Sequence, residues 1–301
     1  LSVRWTASYC RQSGSGPGSA VCSEADAEVC TSYYADMLDA CLVNRVCRSV
    51  PPFEVGVPAI LGRCHCPLDA SAAVDNARAA GLENVNLDLL LGTPGETIES
   101  WQQTVDTALA LETDHLSAYA LTVELGTDLS RAVAAGAPAP DDDDQADKYE
   151  LLGKAAAGRF EHYEVSNWAR PGKECRYNLT TWAQGEYLAF GLGAHGHRGG
   201  LRRRNVRRLD VYLEMVERGD RPLAGQETLD PWEKEKERVF LGLRRRAGVI
   251  AGEAGTRFRD SEMGQRFLVA GVVTFVGDRL IVINPLLTDA VAREVLALPS
   301  P

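Results

Sequence analysis

One carboxylate stands inside an apolar run. Asp88 interrupts Val85, Leu87, Leu89, Leu90 and Leu91, with Gly81 before the run and Gly92-Thr93-Pro94-Gly95 after it. Such a run reads as a strand buried on both faces of a parallel sheet. A carboxylate placed there needs a partner, because desolvating it alone is costly. Either Asp88 meets a ligand near the strand's C-terminal end, or neighbouring loop amides satisfy it. The glycines of the following turn let backbone approach a ligand closely, or serve turn geometry alone. His195, in Gly193-Ala194-His195-Gly196, has small neighbours that leave room for ligation. Its alternative is a hydrogen-bonded structural histidine, and His197 is a weaker candidate. Ser166 and Asn167 place donors in a stretch, His162 to Trp168, that holds many polar groups among apolar ones.

Other clusters carry less chemistry. Cys64-His65-Cys66 has only one residue between its thiols, an awkward spacing for chelating one zinc. Asp141 to Asp144 lack the alternating spacing of a calcium loop and read as an exposed linker and helix start. Arg198 to Arg208 carries six arginines, the one basic stretch in an acidic chain. It reads as a solvated junction between domains, or as a site for carboxylates of a ligand or an acidic partner.

The elements that must position these residues alternate. A helix over Ala70 to Ala80, the strand over 85–91, a helix over Ile98 to Leu111 capped by Thr97, and a strand over His115 to Thr122 follow in turn. Trp101, Val105, Ala108 and Leu109 fall at helical spacing. A helix over Gln145 to Gly158 and a strand over His162 to Trp168 continue the pattern. This predicts an α/β fold, a parallel sheet with helical crossovers closing into a barrel or partial barrel. Chemistry in such folds sits at strand C-termini, where Asp88, Gly92 and Tyr119 to Thr122 fall. Beyond residue 210 the chain reads as helices over Asp210 to Arg218, Trp232 to Arg246 and Asp289 to Leu298. A small β-ribbon, Val272 to Phe275 and Arg279 to Ile283, turns at Gly277-Asp278. Residues 1–60 read as loop with one moderately amphipathic helix between Cys30 and Val50, stopped by Pro51, Pro52 and Pro58.

At 301 residues, 45% hydrophobic and 25% charged, the chain can bury a large core. A net charge of −10 argues against nucleic acid as a bulk partner. No run of about 18 apolar residues occurs, so no transmembrane span is predicted and any membrane contact would be peripheral. No signal-peptide pattern opens the sequence, so a cytoplasmic location is expected. Of eight cysteines, seven lie in the first 66 residues and only Cys175 lies beyond. A disulfide module would fit that crowding, but nothing marks secretion.

Three stretches carry a resemblance. Leu87-Asp88-Leu89-Leu90-Leu91-Gly92-Thr93-Pro94-Gly95-Glu96-Thr97 is one; Tyr163 to Gly172 leading into Cys175-Arg176-Tyr177-Asn178 is the second; Gly191-Leu192-Gly193-Ala194-His195-Gly196 is the third. Together they resemble the coproporphyrinogen oxidase-like radical SAM proteins, specifically their heme-chaperone branch. The resemblance runs from about Leu61 to the C-terminus. It implies a partial (β/α) TIM-like radical SAM barrel over 61–200, with a C-terminal helical, winged-helix-like domain over 201–301 and an atypical segment over 1–60. It also implies S-adenosylmethionine, a 4Fe-4S cluster and heme as bound groups, with heme delivered to a heme-accepting protein. Asp88, Arg63 and Gly92 match cofactor-binding positions, Arg63 having the planar fork that binds a carboxylate. His195, Asn167 and Arg176 match positions expected to face heme or another substrate. Tyr177 stands where relatives usually carry His.

The sequence departs from the family at one decisive point. Relatives carry Cys-x-x-x-Cys-x-x-Cys, three thiolates that hold a cubane and leave one iron open. Cys41 and Cys47 are six apart and Cys64 and Cys66 two apart, so no cluster ligands can be assigned. The chain reads as a truncated or frame-shifted form, or as one whose scattered cysteines assemble a site. Three functions follow: a heme chaperone, an oxygen-independent coproporphyrinogen III oxidase on the same scaffold, or a remnant without radical chemistry.

Overall fold

The computed structural model describes residues 67–301. The expectations placed on Arg63, on Cys64-His65-Cys66 and on residues 1–60 lie outside the described residues. The chain divides after Ala157 into two units.

In the first unit, α1 (Pro67–Ala79) leads into β1 (Asn86–Leu91), α2 (Ile98–Ala110), β2 (His115–Ala120), α3 (Asp128–Ala134) and α4 (Asp142–Ala156). β1 and β2 pair in parallel with Asn86 opposite His115 and Asp88 opposite Ser117. Alternation puts Leu87, Leu89 and Leu91 on one face, fully buried, and Asn86 and Asp88 on the other. Helix α2 begins where its cap dictates: Thr97 accepts from the Ser100 amide at 3.2 Å. Its buried residues are Trp101, Val105, Ala108 and Leu109, as the spacing predicts. Helix α4 starts three residues earlier than expected because Asp141 caps it, accepting from the Asp144 amide at 2.8 Å.

One buried charge braces this unit. Lys148 on α4 is fully buried. Its ammonium donates to the Glu96 carbonyl and to Asp144 Oδ2, both at 2.6 Å, with Glu96 Oε2 at 3.3 Å. The Glu96 carboxylate in turn accepts from the Gly92 amide at 2.9 Å. Burial pushes the Glu96 carboxyl up, opposed by that amide and by Lys148. The Lys148 carbonyl accepts from the Trp101 indole at 2.8 Å, so one residue ties α4 to α2 and to the turn leaving β1.

The second unit opens with a hairpin. The expected single strand over 162–168 is two antiparallel strands, β3 (Glu161–Glu164) and β4 (Asn167–Ala169), turned at Val165-Ser166. A short helix, α5 (Arg176–Trp182), precedes a three-stranded meander of β5 (His195–Arg198), β6 (Leu201–Asn205) and β7 (Leu223–Thr228), with α6 (Leu209–Glu217) between the last two strands. The basic stretch expected as a domain junction is therefore largely strand, turned at Gly199-Gly200. Both glycines have positive φ, 61° and 71°, as a two-residue hairpin turn requires.

The C-terminal elements are α7 (Pro231–Gly242), β8 (Val249–Ile250), α8 (Gly252–Asp260), α9 (Glu262–Val269), β9 (Val273–Val276), β10 (Arg279–Val282) and α10 (Thr288–Leu296). A full capping box starts α7, Asp230 accepting from the Glu233 amide at 2.8 Å and Glu233 from the Asp230 amide at 3.3 Å. The strands form a sheet in the order β8-β10-β9, so helix, strand, two helices and an antiparallel ribbon follow in winged-helix order. Val239, Leu243, Phe258, Leu280, Val291 and Val295 fill the core beneath it. Helices α8 and α9 were not foreseen: with Ala254, Gly255 and Gly264 as buried positions, small residues hide the apolar stripe. No helix among the described residues is long and apolar enough to cross a membrane.

Replacing Lys148 by Ala leaves Glu96 without its buried cation. Lys148→Ala is expected to lower unfolding free energy by about 3–5 kcal/mol. Urea denaturation checks this; a loss below about 1 kcal/mol would mean the brace is dispensable.

Candidate functional site

The chemistry predicted for β1 has a polar setting. Asn86 donates to Asp88 Oδ1 at 2.8 Å and to Ser117 Oγ at 3.0 Å. His115 Nδ1 lies 2.6 Å from Asn86 Oδ1, an acceptor, so that ring nitrogen carries the proton. Asp88, His115 and Ser117 are all buried, Asp88 retaining only 7% exposure. A buried row of carboxylate, amide, imidazole and hydroxyl on one face of a parallel pair can bind a polar ligand with hydroxyl or ammonium donors. His115 and Ser117 were missed from sequence; their alternation with Leu116 and Ala118 was the available signal.

Gly92 has φ +74°, which favours glycine. The space beside it is taken: a Cβ there would sit 2.2 Å from Gln145 Cγ. Gln145 also donates to the Leu121 carbonyl at 2.9 Å. On its Cβ side, the close approach that Gly92 permits is made by Gln145 of α4.

In the second unit, Asn167 is buried and its amide donates to Glu164, a carboxylate that also accepts from the Trp182 indole at 3.1 Å. Asn167 was expected to donate to heme or substrate; the structure places one of its amide N–H groups on a buried neighbour, Glu164. Burial raises the Glu164 carboxyl, against the Asn167 and Trp182 hydrogen bonds. Arg244 lies 5.3 Å from the centre of the Trp182 ring and 4.7 Å from that of Phe240, and pairs with Asp289 at 2.9 Å. The Val165 amide donates to the Arg244 carbonyl, and the Arg246 amide to the Tyr163 carbonyl, each at 3.0 Å. These bonds staple the hairpin to the strand-like segment after α7.

Arg176 is exposed at the start of α5, and His195 is exposed at the start of β5. His197, two residues on, is half-buried and better held: its Nδ1 lies 2.9 Å from the Gly185 carbonyl. Tyr177 is 55% exposed and meets Tyr187 edge-on at 5.8 Å. Among the described residues no cluster of three or more His, Cys, Asp or Glu side chains is placed to hold a metal ion between them. Cys175 is the one cysteine there, so a cluster cannot be built from these residues.

His162 stacks on Trp168 with ring centroids 4.3 Å apart, and burial pushes its pKa down to about 4. The unfolded chain then binds the extra proton between about pH 6.5 and 4. The stability contributed by neutral His162 is present above pH 6.5 and lost as pH falls through about 4. Melting temperatures at pH 7 and pH 5 should therefore differ more for the wild type than for His162→Phe. Equal drops would remove His162 as a source of acid sensitivity.

Comparison with known proteins gives the site its context. No family model matches the chain. Heme chaperone HemW of Mycobacterium tuberculosis strain H37Rv is 40% identical over 284 residues, covering 93% of this chain and 72% of that protein. HemW of Bacillus subtilis strain 168 is 36% identical, covering 69% of this chain and 55% of that protein. The chain thus spans between about half and three quarters of the length of these relatives. A match over 93% of the chain extends into residues 1–60, so the similarity begins before Leu61, where it was expected to start. Among solved structures, the Escherichia coli coproporphyrinogen III oxidase HemN, a radical SAM enzyme, superposes with a TM-score of 0.63. It is 19% identical, covering 82% of this chain and 63% of that one, a likeness that establishes the radical SAM α/β fold.

Proposed function

This chain belongs to the HemW heme chaperone family, and from that premise we propose that it binds heme in the cytoplasm and delivers it to a heme-accepting protein. The observation that carries this reading is 40% identity to a heme chaperone across 93% of the chain. The same family reading assigns S-adenosylmethionine to the polar face of β1 and β2. There the Asp88 carboxylate, oriented by Asn86, suits a ligand hydroxyl or ammonium group. With a reduced 4Fe-4S cluster, S-adenosylmethionine would supply radical chemistry when bound. Seven of the eight cysteines lie in residues 1–66, outside the described residues.

The oxidase reading uses the same scaffold, and fold alone does not separate the two. The relatives favour the chaperone, since the named sequence matches at 32–40% identity are heme chaperones or a radical SAM domain protein.

Delivery is tested by loading the chain with hemin and mixing it with an apo-hemoprotein while following the Soret band. The chaperone reading expects transfer within minutes and no decarboxylation of coproporphyrinogen III. Decarboxylation under reducing, anaerobic conditions would favour the oxidase instead. Asp88→Ala should weaken S-adenosylmethionine binding at least tenfold in equilibrium dialysis; unchanged binding would move the cofactor off β1.

A further inference from the structure

We propose that His197, rather than His195, ligates the heme iron, on a strand face it shares with Tyr187. This rests on the heme reading above and deepens it to a residue. Gly185 O can only accept, so the 2.9 Å contact makes His197 Nδ1 the protonated nitrogen. The other nitrogen, Nε2, is thereby left with its lone pair. A histidine that donates one ring N–H to a backbone carbonyl, fixing tautomer and ring orientation, is how proteins prepare the opposite nitrogen for a metal. His195 is exposed and has no such bond among the described residues.

The surroundings fit a planar apolar ligand with anionic arms. His197 and Tyr187 exchange backbone hydrogen bonds at 2.8 and 2.9 Å, which places both side chains on one face. Their ring centroids are 6.3 Å apart, and Tyr177 meets the Tyr187 ring edge-on. Gly196 makes this approach feasible, since a Cβ there would stand 3.0 Å from the Ala189 amide nitrogen. The segment after Tyr187 exposes Leu188, Phe190 and Leu192, Phe190 at 81%. Across β6, Arg202 faces His197 and Arg204 faces His195. Arg202 is held by Glu227 and Glu237, whereas Arg204 makes no ion pair with any described residue and can meet a propionate.

The test titrates hemin into the chain and reads the Soret band and the electron paramagnetic resonance of the ferric iron. His197→Ala is expected to weaken hemin binding at least tenfold and to abolish the nitrogen-ligated spectrum, which added imidazole restores. His197→Asn keeps a donor for the Gly185 carbonyl but has no ring nitrogen, so it should fold normally and show the same loss. His195→Ala should bind within about twofold of wild type. Wild-type spectra from both His197 variants, loss in His195→Ala, or a phenolate signature that disappears in Tyr177→Phe would each overturn the assignment while leaving heme binding intact. A wild-type chain that binds no hemin would overturn the heme reading and this assignment with it.

Discussion

The first unit depends on a buried ammonium. Lys148 sits with no solvent exposure, and an ion there is tolerable only when its three protons are matched. They are matched by the Glu96 carbonyl, the Asp144 carboxylate and the Glu96 carboxylate. Because Glu96 also accepts from the Gly92 amide, the position of α4 fixes the turn at the end of β1. That turn follows Asp88 by four residues, so the geometry of the polar β1–β2 face is set from behind by a charge cluster. The absence of a Cβ at Gly92 serves this packing, since Gln145 fills the space a side chain would take.

The second unit solves a comparable problem with a carboxylate. Glu164 is buried at the end of β3, held by Asn167 and Trp182, with Arg244 stacked on the Trp182 and Phe240 rings. The motif stretch that resembles the family thus has a structural explanation: Glu164, Asn167 and Trp182 build one network. Residues available for a ligand lie further along, at Tyr177, Tyr187 and His197, where rings are exposed or half-exposed and one imidazole is pre-oriented.

Periodicity made the α/β class legible, and local chemistry made some boundaries legible too. Thr97 before an apolar stripe located α2 and its buried face, and the apolar run around Asp88 located β1. The hairpin at Val165-Ser166 was not legible because Val165 favours strand and Ser166 signals a turn only weakly. The β5–β6 meander was hidden by arginines, although Gly199-Gly200 was a usable turn signal. Lys148 could not be foreseen, since burial of a lysine depends on Glu96, distant in sequence, and on the packing of α2. His195 stood out by its small neighbours, while the carbonyl that orients His197 comes from Gly185, twelve residues away.

The two proposed ligands fall to different residues: S-adenosylmethionine to the Asp88 face, heme to the strand carrying His197. One titration addresses that division directly. Hemin added to Asp88→Asn, followed by Soret absorbance, should bind within about twofold of the wild-type affinity, because Asp88 takes no part in holding the porphyrin. Loss of hemin binding in Asp88→Asn, with the fold intact by circular dichroism, would contradict it and place both ligands in one site.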